Sequence, residues 1–175
     1  MGPGDLLTPL WDVVMPPNAF NGIMPIGSDV VAVNYVPPVD SGEADTYGLY
    51  VPPQTPSGRP MIRIFRDAAS LPTPRHRPDG LNPQQDACTL AHEYGHHLSR
   101  SGRHRAPSYE RAVSTALVDW PRLSDADKTA IFDEEARAWN FGRIELDKLG
   151  CDDWAAFEGR RHDGLANYRR FLGLP

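Results

Sequence analysis

A short stretch in the middle of the chain, LAHEYGHHLS, carries three side chains at a spacing that suits metal chemistry. His92 and His96 are four residues apart, so on an α-helix they share a face and both imidazoles can bind one ion. Glu93 is rotated by about 100° from His92 and lies beside that ion. This H-E-x-x-H spacing predicts a zinc site with Glu93 as the general base that takes a proton from zinc-bound water. The competing interpretation is a solvated helix that matches a short pattern by chance.

The third zinc ligand must come from elsewhere in the chain, because a catalytic zinc takes three protein ligands and leaves one position open. A third histidine ten residues after His92, with a glycine seven residues after His92, is excluded because Gly102 and Ser99 occupy those positions. The class with that pattern also needs a methionine turn further along, and the last methionine is Met61. A glutamate from a later helix remains as the third ligand.

Two neighbouring glutamates in the long predicted helix could provide that ligand, and helical periodicity separates them. Glu135 lies in an apolar stripe that is expected to face the core, formed by Ile131, Phe132, Ala138, Trp139, Gly142, Leu146 and Leu149. Glu134 lies on a face that we expect to be mostly solvated, with Asp127, Ala130, Phe141, Glu145 and Lys148. A carboxylate in an apolar stripe is costly unless it is paired or binds a metal, which favours Glu135 as the ligand. Two alternatives stay open: Glu134 is the ligand, or Glu135 pairs with Arg137 or with an arginine of the C-terminal tail.

The elements that must position these residues divide the chain into an extended front and a helical back. Fifteen of the 18 prolines lie at or before Pro83, and proline is incompatible with a helix interior. In the front, β-branched and aromatic residues predict strands at residues 29–36, 46–51 and 60–66. Residues 1–28 are expected to form an extended arm whose order depends on docking to the body.

Start and stop signals define the helices of the back. Asn82 followed by Pro83 predicts the start of the helix that carries the histidines, and this helix should end near Gly102. Ser124 and Asp127 resemble a capping box that opens a long helix. The remaining helices are predicted at residues 109–118, 125–149, 154–158 and 165–172.

The order of these elements predicts an α+β fold, in which a small N-terminal antiparallel or mixed sheet packs on the active-site helix and the C-terminal half is helical. With 175 residues, of which 40% are hydrophobic, the chain is expected to form one domain over residues 1–175. Within it we expect an arm at residues 1–28, a strand and loop subdomain at residues 29–81, and a helical subdomain at residues 82–175.

Composition limits the partners of the protein. The net charge of −5 argues against a protein that coats nucleic acid, and no apolar run approaches the roughly 18 residues of a membrane span. The N-terminal sequence lacks the basic and apolar regions of a secretory signal. Cys88 and Cys151 form no metal-type pair and are expected to be reduced thiols. We therefore expect a cytoplasmic monomer without a nucleic-acid or membrane partner.

The stretch TLAHEYGH at residues 89–96, together with Glu135, Ala136 and Trp139 further along, resembles the gluzincin group of zinc metallopeptidases. The layout is closest to small, minimal zincins, including the phage-repressor-cleaving type, and the resemblance covers roughly residues 46–142. It implies a zincin-like fold with one active-site cleft. One position departs from the thermolysin-like members, which have an aspartate four residues after the glutamate ligand to orient a zinc-bound histidine. Trp139 stands there in this chain.

The resemblance implies a zinc-dependent endopeptidase that acts on peptides or proteins, with His92, His96 and Glu135 as zinc ligands and Glu93 as the base. A second donor to the oxyanion is usual in such sites, and the candidates are His162, Tyr168 and Tyr109. The class also suggests that substrate adds as a strand along an edge at residues 61–66. The remaining histidines, His97 and His104, are expected to face solvent, and Cys88 is expected to pack in the core.

Other functions share parts of this pattern. A zinc-stabilised interaction module would keep the metal without cleaving peptides, and a pseudo-peptidase would lack stoichiometric zinc. A hydrolase of a non-peptide amide would share the whole site. The basic residues that follow the histidine helix are expected to form a solvated loop; the alternative is a surface that binds acidic substrates. The arm at residues 1–28 could act as an inhibitory segment that occupies the cleft.

Overall fold

A four-stranded mixed sheet forms the front of the molecule. The computed structural model describes residues 21–26, 29–36, 48–53, 55, 58–65, 83–100 and 106–175, and structural statements concern these residues. The strands are β1 (Asn21–Ile26), β2 (Asp29–Val36), β3 (Gly48–Val51) and β4 (Met61–Phe65). They are arranged in the order β1-β2-β4-β3. The β1/β2 and β3/β4 pairs are antiparallel, whereas β2 and β4 run parallel.

This sheet corrects two expectations about the front of the chain. Residues 21–26, which we expected in the arm, form the strand β1 beside β2; residues 1–20 and 27–28 lie outside the described residues. The strand predicted at residues 60–66 is not an edge, because β4 pairs with β2 on one side and β3 on the other. Sheet order depends on pairing between distant segments, which the local pattern of one strand does not report.

The predicted strand positions are confirmed where the structure describes them. β2 spans Asp29–Val36 as predicted, and β3 and β4 lie inside the ranges 46–51 and 60–66. In β4 the side chains alternate, so that Ile62 and Ile64 are fully buried while Met61 and Arg63 are half-buried. The buried face meets the rest of the core because β3 and β4 pack against the helix that carries the histidines.

The back of the molecule is helical, and the part of the chain that the structure describes is α+β and mostly helical. Its elements are α1 (Pro83–Arg100), α2 (Pro107–Asp119), a 3-10 turn (Trp120–Arg122), α3 (Asp125–Lys148) and α4 (Ala155–Leu172). In the part of the chain that the structure describes, no helix is both long enough and apolar enough to pass through a bilayer.

The capping box predicted at the start of α3 is confirmed. The Ser124 hydroxyl accepts from the Asp127 backbone N–H at 3.1 Å, and the Ser124 N–H donates to the Asp127 carboxylate at 3.3 Å. At the other end, Gly150 adopts a φ of 88°, which lets the chain leave the helix in a left-handed turn. These local signals fix the boundaries of the helix that carries both candidate glutamates.

The last helix differs from the prediction. We expected two short helices at residues 154–158 and 165–172, but α4 is continuous over Ala155–Leu172. Gly159 and Gly164 lower the intrinsic helix propensity of the intervening stretch. Tertiary packing offsets that cost, since Phe157 is fully buried and Gly164 lies against the Trp139 ring.

The core of the helical half is centred on the crossing of α1 and α3, the most extensively packed pair of elements. A Cβ atom at Gly95 would overlap the Ala138 carbonyl, and one at Gly142 would lie 2.5 Å from the Ala91 carbonyl oxygen. Each helix therefore presents a glycine to the backbone of the other. This close approach accounts for Gly95, because glycine is otherwise unfavourable in a helix interior. Both histidines lie beside this crossing.

Candidate metal centre

Three side chains from the crossing helices converge at one point. His92 and His96 come from α1 and Glu135 from α3, and a candidate ligand atom of each lies within 4.8 Å of the others. The His92 Nε2 atom is 3.4 Å from one Glu135 carboxylate oxygen, and the His96 Nε2 atom is 3.2 Å from the other. The two imidazole centroids are 4.6 Å apart. The structure thus brings together the three residues that the sequence assigned to zinc.

These distances fit a tetrahedral zinc ion. With bonds of about 2.0–2.1 Å, two ligand atoms of a tetrahedral site lie roughly 3.3 Å apart. The two nitrogen-to-oxygen separations, 3.4 Å and 3.2 Å, lie on either side of that value. Two imidazoles and one carboxylate form a donor set found in catalytic zinc sites. The residues present therefore fit zinc, and all three line the cleft described below.

The charges at this site are strongly coupled. Burial would lower the pKa of His96, but the neighbouring carboxylates of Glu135 and Glu134 outweigh it and raise the pKa to about 9. Burial would raise the pKa of Glu135, yet the charges and hydrogen bonds of His96 and His92 hold it far below its usual range. Without a metal, His96 therefore carries a proton that zinc must replace.

Glu93 lies next to the three residues and does not join them. Its carboxylate oxygen is 4.0 Å from the His92 Nε2 atom, and the residue is only 6% exposed. The edge strand β3 packs directly on it, because a Cβ at Gly48 would lie 3.0 Å from the Glu93 Cγ atom. The base candidate is thus held between α1 and β3, and it lines the cleft described below.

A cleft of about 480 Å³ opens over these residues. Its floor is formed by His92, Glu93, His96 and Glu135, and β3 contributes one wall through Gly48, Leu49 and Tyr50. The opposite wall is one face of α4, formed by Arg160, Asp163, Gly164, Asn167 and Tyr168. A volume of this size can hold a short segment of a peptide or a small ligand.

The structure separates the three candidates for the oxyanion donor. Tyr168 lines the cleft, and burial together with the nearby Glu135 carboxylate raises the pKa of its phenol, so that it keeps its proton. His162 points away, with 83% of its side chain exposed and its Nδ1 atom 3.2 Å from Asp163. Tyr109 does not line the cleft and accepts a hydrogen bond from Arg100 at 2.5 Å. Tyr168 is the candidate that geometry retains.

Glu134 is not on a solvated face, contrary to the expectation. It is 1% exposed, and its carboxylate accepts hydrogen bonds from the Ser99 hydroxyl and, at 3.0 Å, from Arg137. The alternative in which Arg137 pairs with Glu135 is therefore replaced by a pair with Glu134. Periodicity failed here because α3 is covered on more than one side, by α1, α2 and α4.

The other histidine of the motif is also buried, and the expectation that His97 faces solvent is wrong. His97 is 6% exposed, its Nδ1 atom lies 3.2 Å from the Tyr50 hydroxyl, and its ring stacks on Tyr94. It thereby links the helix to β3. His104 lies outside the described residues.

Both cysteines are free and buried, as expected. Cys88 packs in a core cluster with Ala91, Trp139 and Phe157. Burial raises the pKa of the Cys88 thiol to about 12, which keeps it protonated and unsuited to bind a metal. The expectation that it packs in the core is confirmed.

Several residues of the cleft were not found from the sequence. Trp139 stacks on the His92 ring with the centroids 4.2 Å apart, so it contacts one of the three candidate ligands. The cleft residues of α4 lie at helical spacing around Tyr168. They would have been expected on one face if one continuous helix had been predicted there instead of two short ones. Arg100 and Tyr50 carried no such signal.

No family model matches this chain, and comparisons with curated proteins and with solved structures also gave no match.

Proposed function

We propose that the protein is a zinc-dependent peptidase with His92, His96 and Glu135 as zinc ligands and Glu93 as the general base. The observation that carries the proposal is the buried carboxylate of Glu135 between two Nε2 atoms at the separations of a tetrahedral site, with a second glutamate alongside. The resemblance of residues 89–96 and 135–139 to gluzincins supports peptide hydrolysis and a zincin-like fold.

The chain can supply each group that amide hydrolysis needs. Zinc would polarise the substrate carbonyl and lower the pKa of water at the open position. In this proposal, Glu93 accepts the proton of the attacking water and returns it to the leaving amine. The Tyr168 phenol, which lines the same cleft and stays protonated, donates to the carbonyl oxygen as negative charge develops. Burial of the base and the ligands strengthens each of these interactions.

The electrostatic balance of the site supports a divalent cation. Two carboxylates, Glu93 and Glu135, are buried within the same few ångströms, and burying like charges without a cation is costly. In the metal-free protein, protonated His96 partly compensates them. A bound zinc would supply two positive charges at the point where the imidazole nitrogens and the Glu135 oxygens converge.

The test compares wild type with Glu93→Gln, using zinc stoichiometry and digestion of a peptide library. We expect one zinc per chain in both proteins and a loss of cleavage by about 10²–10⁴-fold in the variant, the range for a general base. Glu145→Gln is a matched control, since it removes a glutamate from α3 outside the cleft.

The outcomes separate the competing functions. Full activity of Glu93→Gln would contradict the mechanism, and wild type without bound zinc would contradict the metal site. Stoichiometric zinc with no cleavage of any peptide would instead support a zinc-stabilised interaction module.

A further inference from the structure

A second buried carboxylate lies directly behind the candidate metal site. Glu134 is 1% exposed and stands on the side of His96 opposite to Glu135. The His96 Nε2 atom faces Glu135 at 3.2 Å, whereas its Nδ1 atom faces the Glu134 carboxylate at 3.7 Å. The His96 ring is thus held between two adjacent glutamates of α3, one at each nitrogen.

The Glu134 carboxylate is held in place by three partners. One oxygen accepts a hydrogen bond from the Ser99 hydroxyl and lies 3.6 Å from the Arg100 Nε atom. The other oxygen accepts from the Arg137 guanidinium at 3.0 Å. A carboxylate this deeply buried is costly unless such partners satisfy it. These partners stabilise the negative charge of Glu134 next to the candidate metal site.

The Nδ1 atom of His96 needs such a group. It is buried and has no hydrogen-bond partner within ordinary distance. Histidines that bind metals nearly always donate the N–H of their other nitrogen to a carboxylate, a carbonyl or water, which fixes the tautomer and the ring. An adjustment of about 1 Å would bring the Glu134 oxygen to hydrogen-bond distance.

We propose that Glu134 is a positioning residue that accepts a hydrogen bond from the Nδ1–H of His96 and thereby presents Nε2 to zinc. This inference rests on the proposed function. It also explains how the site works without the aspartate of thermolysin-like enzymes, because Trp139 at that position covers His92 by stacking. Here the orienting carboxylate is Glu134, the residue before Glu135 in the sequence, and it orients His96 rather than His92.

The ionisation state of Glu134 is consistent with this role. The guanidinium groups of Arg100 and Arg137 and the Ser99 hydroxyl surround its carboxylate. Two cations and a donor beside a buried carboxylate favour its charged form. A charged acceptor makes the imidazole a better electron donor to the metal.

The experiment measures zinc affinity by competition with a chelator in wild type, Glu134→Gln and Glu135→Gln. We expect Glu134→Gln to bind zinc about 10–100-fold more weakly, as measured for other residues that support a metal-bound histidine. Glu135→Gln should lose far more affinity, because a ligand is removed. Asp133→Asn is the matched control, since it removes one negative charge from an exposed neighbour on the same helix. It should leave the affinity within about twofold.

A second readout distinguishes positioning from a general structural role. In zinc-loaded wild type, the His96 Nδ1–H should give a strongly downfield proton NMR signal, which should shift or disappear in Glu134→Gln. If that variant folds poorly, Ser99→Ala offers a milder change, and it should weaken zinc binding less than Glu134→Gln does.

The results separate this inference from the proposed function. Unchanged zinc affinity and an unchanged Nδ1–H signal in Glu134→Gln, with binding lost in Glu135→Gln, would overturn the positioning role and leave the zinc site intact. Complete loss of zinc in Glu134→Gln with binding retained in Glu135→Gln would overturn both, because Glu134 would then be the ligand.

Discussion

The two sides of the cleft are built differently. On the metal side, α1 and α3 meet backbone to backbone, since Gly95 and Gly142 each face a carbonyl of the other helix. On the other side, β3 and α4 face the cleft mainly with side chains such as Tyr50, Arg160 and Tyr168. Close backbone contacts leave the two helices little room to shift, whereas long side chains can adopt other rotamers. The proposed zinc site therefore depends on helix packing, and the proposed substrate preference depends on exchangeable side chains.

The largest effect should come from Gly95→Ala, which disrupts the close contact between the backbones of α1 and α3. The added methyl group would overlap the Ala138 carbonyl, so we expect a loss of about 3 kcal/mol in the free energy of unfolding together with weaker zinc binding. Denaturant unfolding and chelator competition measure the two. Gly159→Ala is the control, because its Cβ would meet no atom within 4 Å; it should be neutral or stabilising by up to about 1 kcal/mol. Equal losses of stability and zinc affinity in Gly95→Ala and Gly159→Ala would contradict the dependence of the site on the helix crossing.

Tyr168→Phe tests the substrate side. It removes a protonated phenol from the cleft wall, so kcat should fall about 10²-fold, typical of one lost oxyanion donor, while zinc affinity stays nearly unchanged. Peptide hydrolysis and chelator competition provide the measurements. Tyr109→Phe, outside the cleft, should retain its rate. An unaltered kcat for Tyr168→Phe would remove the phenol from the mechanism.

The pH dependence of zinc binding tests the charge balance of the metal side. Because the pKa of His96 is raised to about 9, a proton must leave before zinc binds, and affinity should weaken about tenfold for each pH unit below 9. Isothermal titration in buffers of different ionisation enthalpy would count the released proton. Affinity that is flat between pH 7 and 9 would contradict the prediction.

The same raised pKa has a consequence for the metal-free protein. The folded pKa lies above the ordinary value of 6.5, so protonated His96 stabilises the fold fully below that value, and the contribution is lost as pH rises towards 9. Chelator-treated protein should therefore unfold more easily at pH 9 than at pH 6.5. Zinc-loaded protein should not show this loss.

The smallest effect should come from Ser124→Ala at the start of α3. Loss of the capping box costs about 1 kcal/mol in the free energy of unfolding. Zinc affinity should be unchanged, since the cap is away from the ligands. Thermal unfolding and chelator competition would check this, and a large loss of affinity would mean that the ligand positions depend on the helix ends as well as on the crossing.

The elements that could be predicted are those with local signals. Pro83 after Asn82, the Ser124 box and Gly150 mark helix ends with side chains next to them in sequence. Glu135 could be predicted as the third ligand because helical periodicity puts its carboxylate inside an apolar stripe, where a charge is costly unless it is paired or binds a metal. Each of these predictions uses only residues of a single helix or its ends.

The parts that could not be predicted depend on contacts between distant segments. Glu134 was assigned to a solvated face because periodicity assumes one covered side, and α3 is covered on several. The interior position of β4 depends on its pairing with β2 and β3, which are separate segments of the sequence. The continuity of α4 depends on Trp139, which fills the space beside Gly164. In each case a tertiary contact overrides a local preference.

The glycine crossing of α1 and α3 also determines what an entering ion has to do. Where ligands are scattered over a flexible chain, metal binding must drive folding, and loading and unfolding become one equilibrium. Here Gly95 and Gly142 bring the candidate ligands together through the backbone packing of the two helices. In the proposed function, an ion would enter a site whose ligands already converge, and its residence time would be set by the ligands and the cleft mouth.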